Sequence, residues 1–154
     1  MKRLVLTLLA LSSLVLAIPA MAAGDAKHYP GIILGATNAE GDTNTTIGVE
    51  YEYKFTSKFG VGAVWERTKD GHDGDGVNVL VGSLFYHPTK EWRLGVGVGE
   101  ERIGGKKVKY KDLTRVSAAY EFVADGYILA PEVAVDFIDG EKATFFGVAV
   151  IVPF

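Results

Sequence analysis

The chain has no cysteine, so no disulfide staples it, although an exported compartment would permit one. It has no basic excess either: its formal charge at pH 7 is −3, which argues against a nucleic-acid binder, since those normally show a basic face. After the N-terminal segment no long apolar run occurs, which excludes a transmembrane helix of roughly 20 apolar residues. Histidine is scarce, at three residues, and the only serines beyond the N-terminal segment are Ser57, Ser83 and Ser117. No stretch shows the 3.6-residue periodicity of an amphipathic helix. What none of these absences excludes is a membrane-spanning barrel, because each of its strands needs only about 9–11 residues with alternate ones apolar.

The N-terminus reads as an export signal. Lys2 and Arg3 precede an apolar run from Leu4 to Ile18 broken only by Thr7, Ser12 and Ser13, and Ala20-Met21-Ala22 has the small-x-small form of a cleavage site. The alternative, a retained anchor helix, is disfavoured by the shortness of the run and by Pro19. Residues 1–22 are therefore expected to be a signal peptide and residues 23–154 one domain. Removing Lys2 and Arg3 lowers the basic count from 16 to 14 against 19 acids, a formal charge of −5.

That domain is written in period two, the spacing that sends successive side chains to opposite faces of a strand. In TTIGVEYEYKFT, Ile47, Val49, Tyr51, Tyr53 and Phe55 share one face; Gly48, Glu50, Glu52 and Lys54 share the other. FGVGAVWE sets Phe59, Val61, Ala63 and Trp65 against Gly60, Gly62 and Glu66. WRLGVGVGEE sets Trp92, Leu94, Val96 and Val98 against Arg93, three glycines and Glu101. The runs beginning at Thr114 and Tyr127 place Arg115, Glu121, Glu132 and Asp136 on the polar face, and the last run alternates Phe146, Val148, Val150, Val152 and Phe154 with Gly147, Ala149 and Ile151. Weaker runs at 29–37 and 77–86 complete eight strands, the second with Leu80 and Leu84 read as inward. Links two, four and six are short; links one (38–44), three (69–75) and five (103–111) read as longer polar loops, and link seven near Asp139 is short.

Alternation alone does not say which face meets water. The polar face is small and carries charges of both signs, and a narrow eight-stranded interior is filled by side chains. Arg93 and Arg115 can pair there with Glu50, Glu52, Glu66, Glu121, Glu132 and Asp136, with Lys54 as a further cation. Aromatics gather beside the short links (Phe55, Phe59, Phe85, Tyr86, Trp92, Phe122, Tyr127, Phe154), as an interfacial girdle would. The expected fold is thus all-β: an eight-stranded antiparallel up-and-down transmembrane β-barrel. Pro131 falls within the seventh strand, where a β-bulge would accommodate its missing N–H.

The export signal, the eight strands and the terminal FFGVAVIVPF together resemble the small outer-membrane β-barrel family, of the OmpX and OmpA transmembrane-domain type. The resemblance implies outer-membrane placement, and it implies that Phe154 with its alternating apolar predecessors is an assembly signal for the barrel-insertion machinery. It carries over no active site.

The residues themselves point to little chemistry. His28, His72 and His87 are dispersed, so no catalytic or metal centre is expected, and no cofactor. A lipid-modifying enzyme would need a base beside a nucleophile, yet no serine lies near His72. Asp70, Asp73 and Asp75 lack the complete spacing of a Ca²⁺ loop and read as a flexible acidic hairpin. Lys106, Lys107, Lys109 and Lys111, interleaved with Val108 and Tyr110, read first as an ordinary solvated loop; facing outward, they would be a surface-contact loop for lipopolysaccharide phosphates or for a surface partner paired at the strand edge. The expected role is a monomeric, non-enzymatic structural or surface-interaction barrel embedded in outer-membrane lipid. The alternatives are a lipid-modifying enzyme and a soluble periplasmic barrel binding an apolar ligand.

Overall fold

The computed structural model describes residues 26–154 except 72 and 73; the expected signal peptide, His72 and Asp73 lie outside the described residues. Nine strands follow one another: β1 (His28–Ala39), β2 (Asp42–Lys54), β3 (Phe59–Thr68), β4 (Val77–Tyr86), β5 (Trp92–Ile103), β6 (Lys109–Tyr120), β7 (Phe122–Ala124), β8 (Tyr127–Ile138) and β9 (Glu141–Ile151). β6 and β7 are two parts of one stave. Every stave pairs antiparallel with its chain neighbours, β8 pairs with both β6 and β7, and β1 pairs with β9. The result is a closed, eight-stave, up-and-down barrel without a free sheet edge. No helix among the described residues is long and apolar enough to cross a membrane, and the crossing is made by strands.

Burial is inverted relative to a water-soluble protein. Leu34 and Val98 are 64% and 69% exposed, whereas Glu52 and Arg93 are 1% and 3% exposed. A soluble barrel would hide the first pair and solvate the second, so the outward apolar face is built for lipid. Leu80 and Leu84 belong to it. Both point outward, correcting the inward reading, because β4 also sends Val77, Val79, Val81 and Phe85 into the lumen. Phe85 is accordingly lost from the aromatic girdle. Phe55, Phe59, Tyr86, Trp92, Phe122 and Tyr127 remain exposed at the end of links two, four and six, with Phe59 on Tyr86 and Trp92 on Tyr120, both at 5.2 Å between ring centres.

The links differ from the expected lengths. Link one contracts to the two-residue turn Glu40-Gly41, because β1 and β2 pair out to Ala39↔Asp42. Both turn residues take positive φ, 54° and 93°, as do Asp139 and Gly140 at 48° and 87° in link seven, the backbone that matches hairpin twist. Link five shrinks to 104–108, leaving Lys109 and Lys111 in β6. Pro131 sits in no bulge: two residues separate Ala119 from Phe122, and two separate Leu129 from Glu132, so register is kept. Instead the ladder is interrupted at Tyr120 and Glu121, opposite the imino acid that has no hydrogen to donate. The Glu121 amide donates to the Glu91 carbonyl in the β4–β5 turn.

Candidate functional site

Two regions carry the polar chemistry: the lumen and the rim that bears links one, three, five and seven. The lumen holds two arginine centres. Arg93, from β5, donates both terminal nitrogens to Glu50 of β2 at 3.1 and 3.0 Å, and one of them to Glu132 of β8 at 2.9 Å. Its guanidinium also stands 3.8 Å from Glu121 and 3.9 Å from Glu52. Arg115, from β6, grips Asp136 with two bonds of 2.7 Å and reaches Glu66 at 2.6 Å. The pairing is bidentate in both cases, the geometry that makes arginine effective for carboxylates. Lys54 lies 3.6 Å from Glu121 and 3.9 Å above the Tyr29 ring.

Glycine supplies the room. A Cβ at Gly60 would fall on the Glu52 carboxylate, and one at Gly147 on the Phe145 ring. Apolar layers flank the charges: Val77, Val79, Val81, Ile103, Leu113 and Ile138 form one cluster, while Ile33, Val64, Phe145, Ala149 and Ile151 belong to another. The lumen is therefore a packed core with charges at its centre. At the mouth beside links one and three, Thr37, Thr46 and Thr68 join hydroxyls at 2.7 and 2.8 Å.

His87 is where sequence reasoning fell short. In the sequence it is one of three dispersed histidines; the structure sets it in the β4–β5 turn and buries it, with its Nε2 2.8 Å from Glu52 Oε1. Turn residues are normally solvated, and only closure of the barrel carries this one inward. His28 has different partners: its ring faces Phe154 at 5.1 Å, and its Nδ1 is 2.7 Å from the Tyr51 hydroxyl. Neither histidine engages a serine; Ser57 is exposed at a turn and Ser83 is buried in the lumen.

At the rim of the β5–β6 link, Lys106, Lys107 and Lys109 are exposed, with Val108 43% and Tyr110 60% exposed beside them. Lys111 stands apart, bonded to Glu141 at 2.9 Å. Asp70 and Asp75 are exposed in the β3–β4 link. A feature unread in the sequence is the cross-strand row Arg67↔Asn78↔Arg102↔Tyr110, set by the β3–β4, β4–β5 and β5–β6 registers. Arg67, Arg102 and Tyr110 all point outward. The two arginines are two strand spacings apart, about 10 Å.

Solved structures share this architecture. Neisserial surface protein A (NspA) aligns with a TM-score of 0.65 and 11% identity over 82% of this chain and 96% of its own. The N-terminal β-barrel domain of Pseudomonas aeruginosa OprF gives 0.63 and 11%, covering 84% of this chain and all of the domain. Ail, the attachment invasion locus protein of Yersinia pestis, gives 0.56 and 12% over 82% and 96%. The fold is that of the small eight-stranded outer-membrane β-barrels. No protein-family model and no curated protein matches the sequence, so the likeness is one of backbone fold.

Proposed function

We propose that the protein is an integral outer-membrane barrel with a non-enzymatic role, whose working surface is its outer rim. The observation that carries this reading is the combination of a lumen crossed by Arg93 and Arg115 ion pairs with a rim on which Arg67, Arg102, Lys106, Lys107 and Lys109 stand exposed beside Tyr110. The two arginine centres occupy the middle of that lumen, which leaves the rim as the exposed polar surface. The rim offers Arg67 and Arg102 from the barrel wall and Lys106, Lys107 and Lys109 above it, with Tyr110 between. Arginines about 10 Å apart at headgroup level suit the phosphates of lipopolysaccharide, each arginine presenting a planar donor fork.

Membrane fractionation with boiled and unboiled gels tests the placement: an outer-membrane band whose mobility shifts on boiling is expected. Recovery in the periplasmic fraction without a shift would overturn it and make the apolar face a soluble core. Binding of purified lipopolysaccharide to the folded barrel tests the rim. Replacing Arg67 and Arg102 by Gln should weaken binding at low salt and flatten its ionic-strength dependence. Unchanged affinity in that double variant would reject the rim as the contact.

A further inference from the structure

At the end of the lumen beside links two, four and six, three elements deliver three ligand-type side chains to one point. Glu52 comes from β2, His87 from the β4–β5 turn, and Glu121 from the interruption between β6 and β7. One ligand atom from each lies within 4.8 Å of the other two. All three side chains are at most 2% exposed. The His87 bond to Glu52 satisfies one oxygen, but Glu52 Oε2 and Glu121 Oε1 are buried without a hydrogen bond, facing the Arg93 guanidinium at 3.9 and 3.8 Å. Buried carboxylate oxygens are rarely left without a hydrogen bond, and contacts near 4 Å offset their desolvation only in part.

The charge count points the same way. Glu50, Glu52 and Glu121, with Glu132 beside them, face only Arg93 and Lys54, so carboxylates outnumber the cations at this end. A bound metal cation offsets that imbalance. We propose that Glu52, His87 and Glu121 form a binding site for a divalent first-row transition-metal ion of the zinc class. One imidazole nitrogen and two carboxylates form an N/O set suited to that ion, held at about 2.0–2.2 Å, with a fourth position left for water. The ion would replace the His87–Glu52 hydrogen bond and recruit both orphaned oxygens. Access exists: a cavity at this end is lined by His87, Glu121, Lys54 and Tyr29. Lys54 is the competitor for Glu121, and its ammonium already has a second resting place over the Tyr29 ring. The site is independent of the rim and of what the rim binds.

The test uses the protein folded in detergent and stripped with chelator, titrated with ZnCl₂ by calorimetry and with Co²⁺ by visible absorption. One equivalent should bind. His87→Gln and Glu121→Gln should each weaken binding by more than about tenfold, since even outer partners of metal ligands are worth that much. Lys54→Met should tighten it, and His28→Gln, at a histidine with other partners, should leave it unchanged. The boiling-dependent gel shift shows which variants are folded; should His87→Gln not fold, Glu121→Gln and Lys54→Met carry the comparison. No binding above the detergent blank would overturn the site, as would one-equivalent binding indifferent to both Glu121→Gln and Lys54→Met.

Discussion

Arg93 is a buried cation touching four carboxylates from three staves, and its removal would strand charges in the lumen. Breaking such a network by deleting one partner costs about 3–5 kcal/mol, because the remaining charges stay buried and uncompensated. Arg93→Met should therefore lower the urea midpoint of the folded, unboiled band by that equivalent, and Arg93→Lys should recover part of it. A midpoint for Arg93→Met equal to that of the parent would mean that the lumen tolerates the loss by admitting water or protons. Arg93 and Arg115 were legible in the sequence as charges on an otherwise small, polar face. His87 was not, since nothing in a five-residue turn tells which way its imidazole faces. Arg67 and Arg102 were equally silent: they become a pair only when β4 sets the register between them.

Each strand carries its own inside-out pattern, and β5 shows its limits. Its outward residues run from Trp92 in the aromatic girdle to Arg102 at the opposite rim, with Val96 about midway. A cation on the lipid face costs about 2–4 kcal/mol at the bilayer midplane and about 0–1 near the interface. Val96→Arg should thus destabilise the barrel strongly, whereas Thr45→Arg, outward-facing on β2 beyond the arginine row, should be nearly neutral. Equal effects at the two positions, read from urea titrations in lipid vesicles, would contradict the assigned membrane depth. Strong alternation in β2, β3 and β5 made these faces readable from period alone. In β4 both faces are apolar, which is why Leu80 and Leu84 read as inward, and pairing with β3 and β5 turned them outward. Pro131 likewise looked like a bulge, yet the strand keeps its register and the irregularity passes to the facing strand, where Glu121 bonds Glu91 instead.

At the scale of the whole barrel, the seam between first and last strands decides closure. Phe154 exchanges two backbone hydrogen bonds of 2.9 Å with His28 and faces its ring, beyond the β1–β9 ladder. An aromatic pair of this kind is worth about 0.5–1.5 kcal/mol, so Phe154→Ala should slow the appearance of the folded band during refolding while lowering final stability only modestly. Refolding at the parent's rate would show that the seam closes without it. The sequence by itself determined the all-β architecture, the number of staves, the apolar and charged faces of most strands and the charges available for the lumen. These follow from a two-residue period that any strand geometry must obey. Only the tertiary structure decided the turn lengths, the direction of β4, the burial of His87 beside Glu52 and Glu121, and the Arg67–Arg102 row. Each of these depends on register between strands far apart in the chain, and register is fixed by closing the barrel rather than by any one segment.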